Sequence, residues 1–224
     1  MRSTSNQASG RSRGGARSRH VQLGLAFRTW GGKRKGAGRK PSGDRAGVSH
    51  RPRPRWDRPL PVHVTLRMAA AVWNLRSRRS FRVIEQVLRG GADRFEVRVV
   101  QFSIQGNHIH LLVEAPDRVE LGRAIKGLSV RLARGLNRMM KRSGRVLDDR
   151  YHAHVLRTPT EVRRAIVYIR DNARQHAAAR GEAYSASYVD PYSSAARGRD
   201  HDVALPAPRT WLCRQGGRPR AGPS

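Results

Sequence analysis

The chain has 224 residues, with 46 Lys and Arg against 16 Asp and Glu and a formal net charge of +30. That length suits one domain with tails, and that charge on so small a chain calls for a polyanionic partner, most simply nucleic acid. A lone cysteine, Cys213, excludes a disulfide framework and a cysteine-based zinc site. No run approaches the ~18 apolar residues a membrane span requires, so the chain is expected to be soluble and cytoplasmic.

Residues 1 to 59 are rich in Arg, Gly, Ser and Pro and lack helical or strand periodicity. Too little apolar surface is available there to offset ordering entropy, so a disordered basic arm is expected. Within it, Gly38-Arg39-Lys40-Pro41 has the composition of a thin arm that places an arginine in a narrow, electronegative minor groove. The folded part is expected over residues 60 to 178, followed by a second disordered basic tail over 179 to 224.

Val62 to Met68 alternates apolar and polar residues, the mark of a half-buried strand. His63 on that strand reads as structural. Ser80 is the expected cap of a helix carrying an apolar row at Phe81, Val83, Ile84, Val87 and Leu88, closed by Gly90-Gly91. Two apolar strands then flank the turn signal Gln105-Gly106-Asn107. On the second, a period of two puts His108, His110 and Leu112 on one face and Ile109, Leu111 and Val113 on the other. Two neutral imidazoles side by side can share a metal ion if a third polar ligand comes from elsewhere.

Asp117 to about Arg142 repeats Leu121, Ile125, Leu128, Leu132 and Leu136 at helical spacing, with Lys126, Arg131 and Arg134 among a strongly basic remainder. A loop through Arg150 leads into a strand with a second alternating pair, His152 and His154. Thr158 or Thr160 starts a last helix, on which Tyr168 and Asn172 stand four residues apart and share a face. An activated tyrosine hydroxyl can act as a covalent nucleophile, and an asparagine amide oxygen can serve as a metal ligand. The order β-α-β-β-α-β-α gives an α+β fold: a ferredoxin-like split βαβ sandwich, an antiparallel sheet with helices on one face, plus an extra helix.

Asn107-His108-Ile109-His110-Leu111-Leu112 resembles the His-hydrophobic-His motif of the HUH endonucleases. With Pro116-Asp117, the basic helix through Lys126, Asp149-Arg150-Tyr151-His152-Ala153-His154 and Tyr168-Ile169-Arg170-Asp171-Asn172 in this order, residues 60 to 178 resemble single-tyrosine transposases of small insertion sequences, and most of all the REP-associated branch. The resemblance implies a transposase and endonuclease that cleaves and rejoins single-stranded or hairpin DNA. Tyr168 would form a 5′-phosphotyrosine, and His108, His110 and Asn172 would hold Mg²⁺ or Mn²⁺. DNA would be contacted by Arg39, Lys126, Arg131, Arg134, Arg150, His152 and His154. The protein would work as a monomer or homodimer beside a bacterial-type nucleoid. A domesticated DNA-binding protein without nuclease activity is the competing expectation; it predicts binding without cleavage.

Overall fold

Alternation at the start of the folded part becomes a strand, β1 (Leu60–Arg67), whose Leu60, Val62, Val64 and Leu66 are buried. A computed structural model of the chain describes residues 52–94, 96–179 and 181–218. After β1 come α1 (Arg78–Arg89), a two-residue β2 (Asp93–Arg94), β3 (Val97–Ile104), β4 (His108–Ala115), α2 (Arg118–Met139), β5 (His152–Val155), α3 (Pro159–Ala178) and α4 (Trp211–Gly216). The strands form one antiparallel sheet in the order β2-β3-β4-β1-β5. Its four main strands have the split βαβ order, so the expected ferredoxin-like architecture is present.

The sheet is buried on both faces. On one, Val62, Val64, Leu66, Phe102, Ile104, Ile109, Leu111 and Val113 join the apolar stripes of α1 and α2 in the main core. On the other, Leu112 packs with Leu156, Val162, Ala165, Ile166 and Ile169 around α3, and Cys213 of α4 completes this smaller core. The alternation along β4 therefore divides its residues between two cores. Burying a leucine fully contributes about 1.5–3 kcal/mol, and Leu112, with partly buried Val100 of β3, seats α3 on the sheet.

Caps set the helix boundaries. Asp117 accepts hydrogen bonds from the Val119 and Glu120 amides at 2.6 and 2.9 Å, starting α2 where expected. Thr158 caps α3 by accepting from Glu161 N–H, with Pro159 at the first helical position. The first helix differs: Ser77, not Ser80, is its cap, accepting the Ser80 amide at 3.1 Å. Arg78 and Arg79 are compatible with the extra turn, and Ser80 is buried inside it.

The segment after α3 also departs from expectation over its described part. Residues 181–218 contribute fold as well as charge. The Tyr192 carbonyl accepts the Ile104 amide, Ser193 bridges Ser103, and buried Asp190 pairs with Arg76 at 2.9 Å. Farther along, the Glu114 carboxylate accepts from the Arg209 and Thr210 amides at 2.8 and 2.7 Å and from the Thr210 hydroxyl at 2.6 Å. Buried backbone groups along β3 and a buried carboxylate on β4 supply the anchoring that composition conceals. Among the described residues, no helix is long and apolar enough to cross a membrane.

Candidate active site

Strand register assembles the site. Pairing of β1 with β4 sets Thr65 opposite His110 and His63 opposite Leu112, so all share the face that α3 covers. His110 is 4% exposed; its Nδ1 lies 3.2 Å from both His63 Nε2 and Thr65 Oγ1. His108 Nδ1 lies 2.8 Å from Asn107 Oδ1. An amide oxygen only accepts, so His108 Nδ1 carries the proton and its Nε2 keeps the lone pair. The two imidazoles alternate as expected, their centroids 4.7 Å apart.

From the facing helix, Tyr168 brings its ring edge-on to His110 at 5.2 Å and to His63 at 5.6 Å. It remains 37% exposed, which leaves the side chain open to a substrate. One turn on, Asn172 is 1% exposed, and neither its amide oxygen nor its nitrogen has a hydrogen-bond partner. Another turn on, His176 stands 5.4 Å from the His108 ring. Tyr168, Asn172 and His176 follow the i, i+4, i+8 repeat that keeps side chains on one helix face.

Electrostatics favour neutral imidazoles. Burial, reinforced by the neighbouring histidines, lowers the pKa of His63 to about 4 and of His110 to about 3. Burial, then His176 and Arg67, lowers that of His108 to about 4. Neutral imidazole is the form that ligates metals. His110 Nε2 is buried without a partner, as are both polar atoms of Asn172. Unpaired buried polar groups each cost about 1–3 kcal/mol, and a cation would relieve that cost at His110 Nε2 and the Asn172 oxygen. The donor set thus suits a hard or borderline divalent ion. Among the described residues, no three His, Cys, Asp or Glu side chains are disposed to hold a metal by themselves.

His63, Thr65 and His176 join the site although the sequence marked none of them for it. His176 carried a usable signal, the repeat that links it to Asn172. His63 carried only half of one: alternation fixed its neighbours on β1 but not the register that turns it toward His110.

The expected DNA contacts separate into two groups. His152 and His154 are exposed on β5, paired with Thr65 and His63 and therefore on the site's face of the sheet. Arg150 precedes them. Lys126, Arg131 and Arg134 belong to α2, which packs on the opposite face. Lys126 and Arg134 are exposed, while Arg131 is partly buried and its guanidinium lies against Gly91. Arg39 lies outside the described residues. Beside His108 opens a polar cavity of about 290 Å³ lined by Asn74, Arg76, Gln105, Asn107 and His176.

Residues 63–172 match the sequence model of the family described as Transposase IS200 like. Among solved structures, a REP-associated tyrosine transposase bound to a REP hairpin is 12% identical with a TM-score of 0.48, covering 58% of this chain and 74% of that one. A candidate transposase from Deinococcus radiodurans is 18% identical with a TM-score of 0.39, covering 58% of this chain and 95% of that one. No curated protein sequence matches the chain. The family match begins at His63 and ends at Asn172, two residues of the site just described, and over that segment the chain is similar to the IS200-like transposases.

Proposed function

We propose that the protein cleaves and rejoins single-stranded or hairpin DNA, with Tyr168 as nucleophile. The observation that carries this reading is the meeting of Tyr168 with His110 across the α3–sheet interface, beside buried polar atoms that have no hydrogen-bond partner among the described residues. In cleavage, the Tyr168 oxygen forms a bond to phosphorus as the bond from phosphorus to the 3′-oxygen breaks. The phenolic proton leaves to solvent base, the departing 3′-oxygen takes up a proton, and the 5′ end stays on the enzyme as a phosphotyrosine. Rejoining reverses these steps with an incoming 3′-hydroxyl, and the retained phosphodiester removes any need for a high-energy cofactor.

His108, His110 and Asn172 would hold Mg²⁺ or Mn²⁺, which when bound supplies positive charge to the non-bridging phosphate oxygens. With His110 Nε2 turned to the ion, its Nδ1 carries the proton and donates to His63 Nε2 or Thr65 Oγ1, fixing the ring. His63 and Thr65 are then positioning residues. The cavity beside His108 offers room for part of a nucleotide next to the scissile phosphate, and His152, His154 and Arg150 border the same face as phosphate contacts. Arg39 and the α2 cations Lys126, Arg131 and Arg134 would engage DNA beyond the site. The compartment proposed is the cytoplasm of a bacterial-type cell, at its nucleoid, and the active form is a monomer or homodimer.

The test incubates labelled hairpin-bearing single-stranded DNA from beside the gene with wild type, Tyr168→Phe and His108→Ala/His110→Ala, in Mn²⁺ or EDTA. A covalent protein–DNA adduct that needs Mn²⁺ and Tyr168 is the expected result. Tight binding with no adduct in any arm would instead assign the fold to a binding protein without nuclease chemistry.

A further inference from the structure

A second surface lies at the other end of β1. Arg58, Arg157, Arg209 and Trp211 line a cleft of about 480 Å³ together with Pro59 and Leu212. All three arginines are exposed, and among the described residues none of their guanidinium groups has an ion-pair partner. The nearby Glu161 carboxylate accepts the Arg157 backbone amide at 2.6 Å, and Asp57 is exposed to solvent. Trp211 is 59% exposed, the most exposed large apolar side chain among the described residues. In contrast, Trp56 is buried and Trp73 has the Arg79 guanidinium over its ring.

The exposure of Trp211 is held in place by a buried charge. Glu114, 3% exposed, takes the Arg209 and Thr210 amides and the Thr210 hydroxyl, and Thr210 in turn caps the turn that starts at Trp211. Arg98, itself 8% exposed, lies 3.9 Å from Glu114 and donates to the Ala207 carbonyl at 2.8 Å. A buried carboxylate is retained where several hydrogen bonds offset its desolvation. Here those bonds fix a loop whose next residue is an indole standing in solvent among three cations.

We infer that this cleft is a binding platform for single-stranded DNA, in which one base stacks on Trp211 and adjacent phosphates meet Arg58, Arg157 and Arg209. An aromatic face flanked by unpaired cations is the general design for holding a strand without reading its sequence. The inference rests on the proposed action on single-stranded DNA and extends it: the cleft adjoins Leu60, roughly 10 Å along β1 from His63 at strand spacing, so neighbouring nucleotides of one strand can reach both places. Arg58, Arg209 and Trp211 fall outside residues 63–172, the segment matched by the family.

The experiment measures anisotropy of labelled oligo(dT), which requires no cleavage site, with the full chain in wild-type and Tyr168→Phe backgrounds. Trp211→Ala is expected to weaken binding about 5- to 100-fold, as loss of one stacked base does. Trp211→Tyr restores most of it, and a duplex of equal length is little affected. Arg58→Gln/Arg157→Gln/Arg209→Gln lowers the slope of log K against log salt by about 2, the value for three phosphates on a single strand. Unchanged affinity in Trp211→Ala overturns the platform even if the arginine variant binds weakly. A greater Trp211 effect on oligo(U) than on oligo(dT) overturns the assignment to DNA. Absence of any covalent adduct in wild type would sink the nuclease reading while leaving the oligo(dT) results to judge this one.

Discussion

Acid is expected to destabilise this protein through its buried histidine cluster. His63, His108 and His110 each start from an ordinary pKa of 6.5 and fall to about 4, 4 and 3 in the fold. The unfolded chain therefore binds protons that the native site refuses, so stability is complete above the ordinary value and is lost as pH falls toward the folded values. For one imidazole lowered to about 4, moving from pH 7 to pH 5 costs about 2 kcal/mol. Three imidazoles in one cluster bring the total to roughly 5 kcal/mol, which for a chain of this size lowers the thermal midpoint by on the order of 10 °C. The assay is differential scanning calorimetry in EDTA across that pH interval, with wild type beside His63→Leu/His110→Leu. The double variant should retain about a third of the pH dependence, carried by His108. A wild-type midpoint that stays level from pH 7 to pH 5, or an equal slope in the double variant, would refute the argument.

Four further expectations follow from particular contacts. Asn172→Leu removes two buried amide atoms that have no partner, so in EDTA it should raise stability by about 1 kcal/mol while abolishing any Mn²⁺-induced rise in midpoint; a destabilised variant that still responds to Mn²⁺ would contradict both halves. Leu112→Ala opens the smaller core beneath α3 and should cost about 2–4 kcal/mol in chemical denaturation, with adduct formation falling as Tyr168 loses its seat. Gly135→Ala would gain helix propensity in isolation, but its Cβ would meet Val83 Cγ1 at 2.6 Å, so a net loss of about 1–2 kcal/mol is expected, recovered when Val83→Ala is added. Glu114→Ala strips the acceptor from the Arg209 and Thr210 amides, and hydrogen exchange at those two positions should accelerate by more than the global loss of stability explains.

Local chain geometry made much of this protein legible from sequence. A period of two put His108, His110 and Leu112 on one face of β4, because successive strand side chains must alternate. A spacing of four put Tyr168 and Asn172 on one face of α3, because a helix turns once in 3.6 residues. The apolar rows of α1 and α2 named their buried apolar residues, with Val83 left only partly buried, and the order of elements was enough for the split βαβ fold. Tertiary structure decided what those faces meet. The register of β1 on β4 turned His63 from a strand residue read as structural into the partner of His110. That register is set by a crossover through α1 and by packing on both faces, neither of which local periodicity encodes. The layer each helix occupies was equally hidden: α2 presents as basic a surface as any, yet it lies across the sheet from the histidines, while α3 covers them. The chain beyond Ala178 reads as a tail because its anchors are isolated, a carboxylate on β4 here and a buried aspartate there. Only folding brings Glu114 and Asp190 to the donors that make that segment part of the protein.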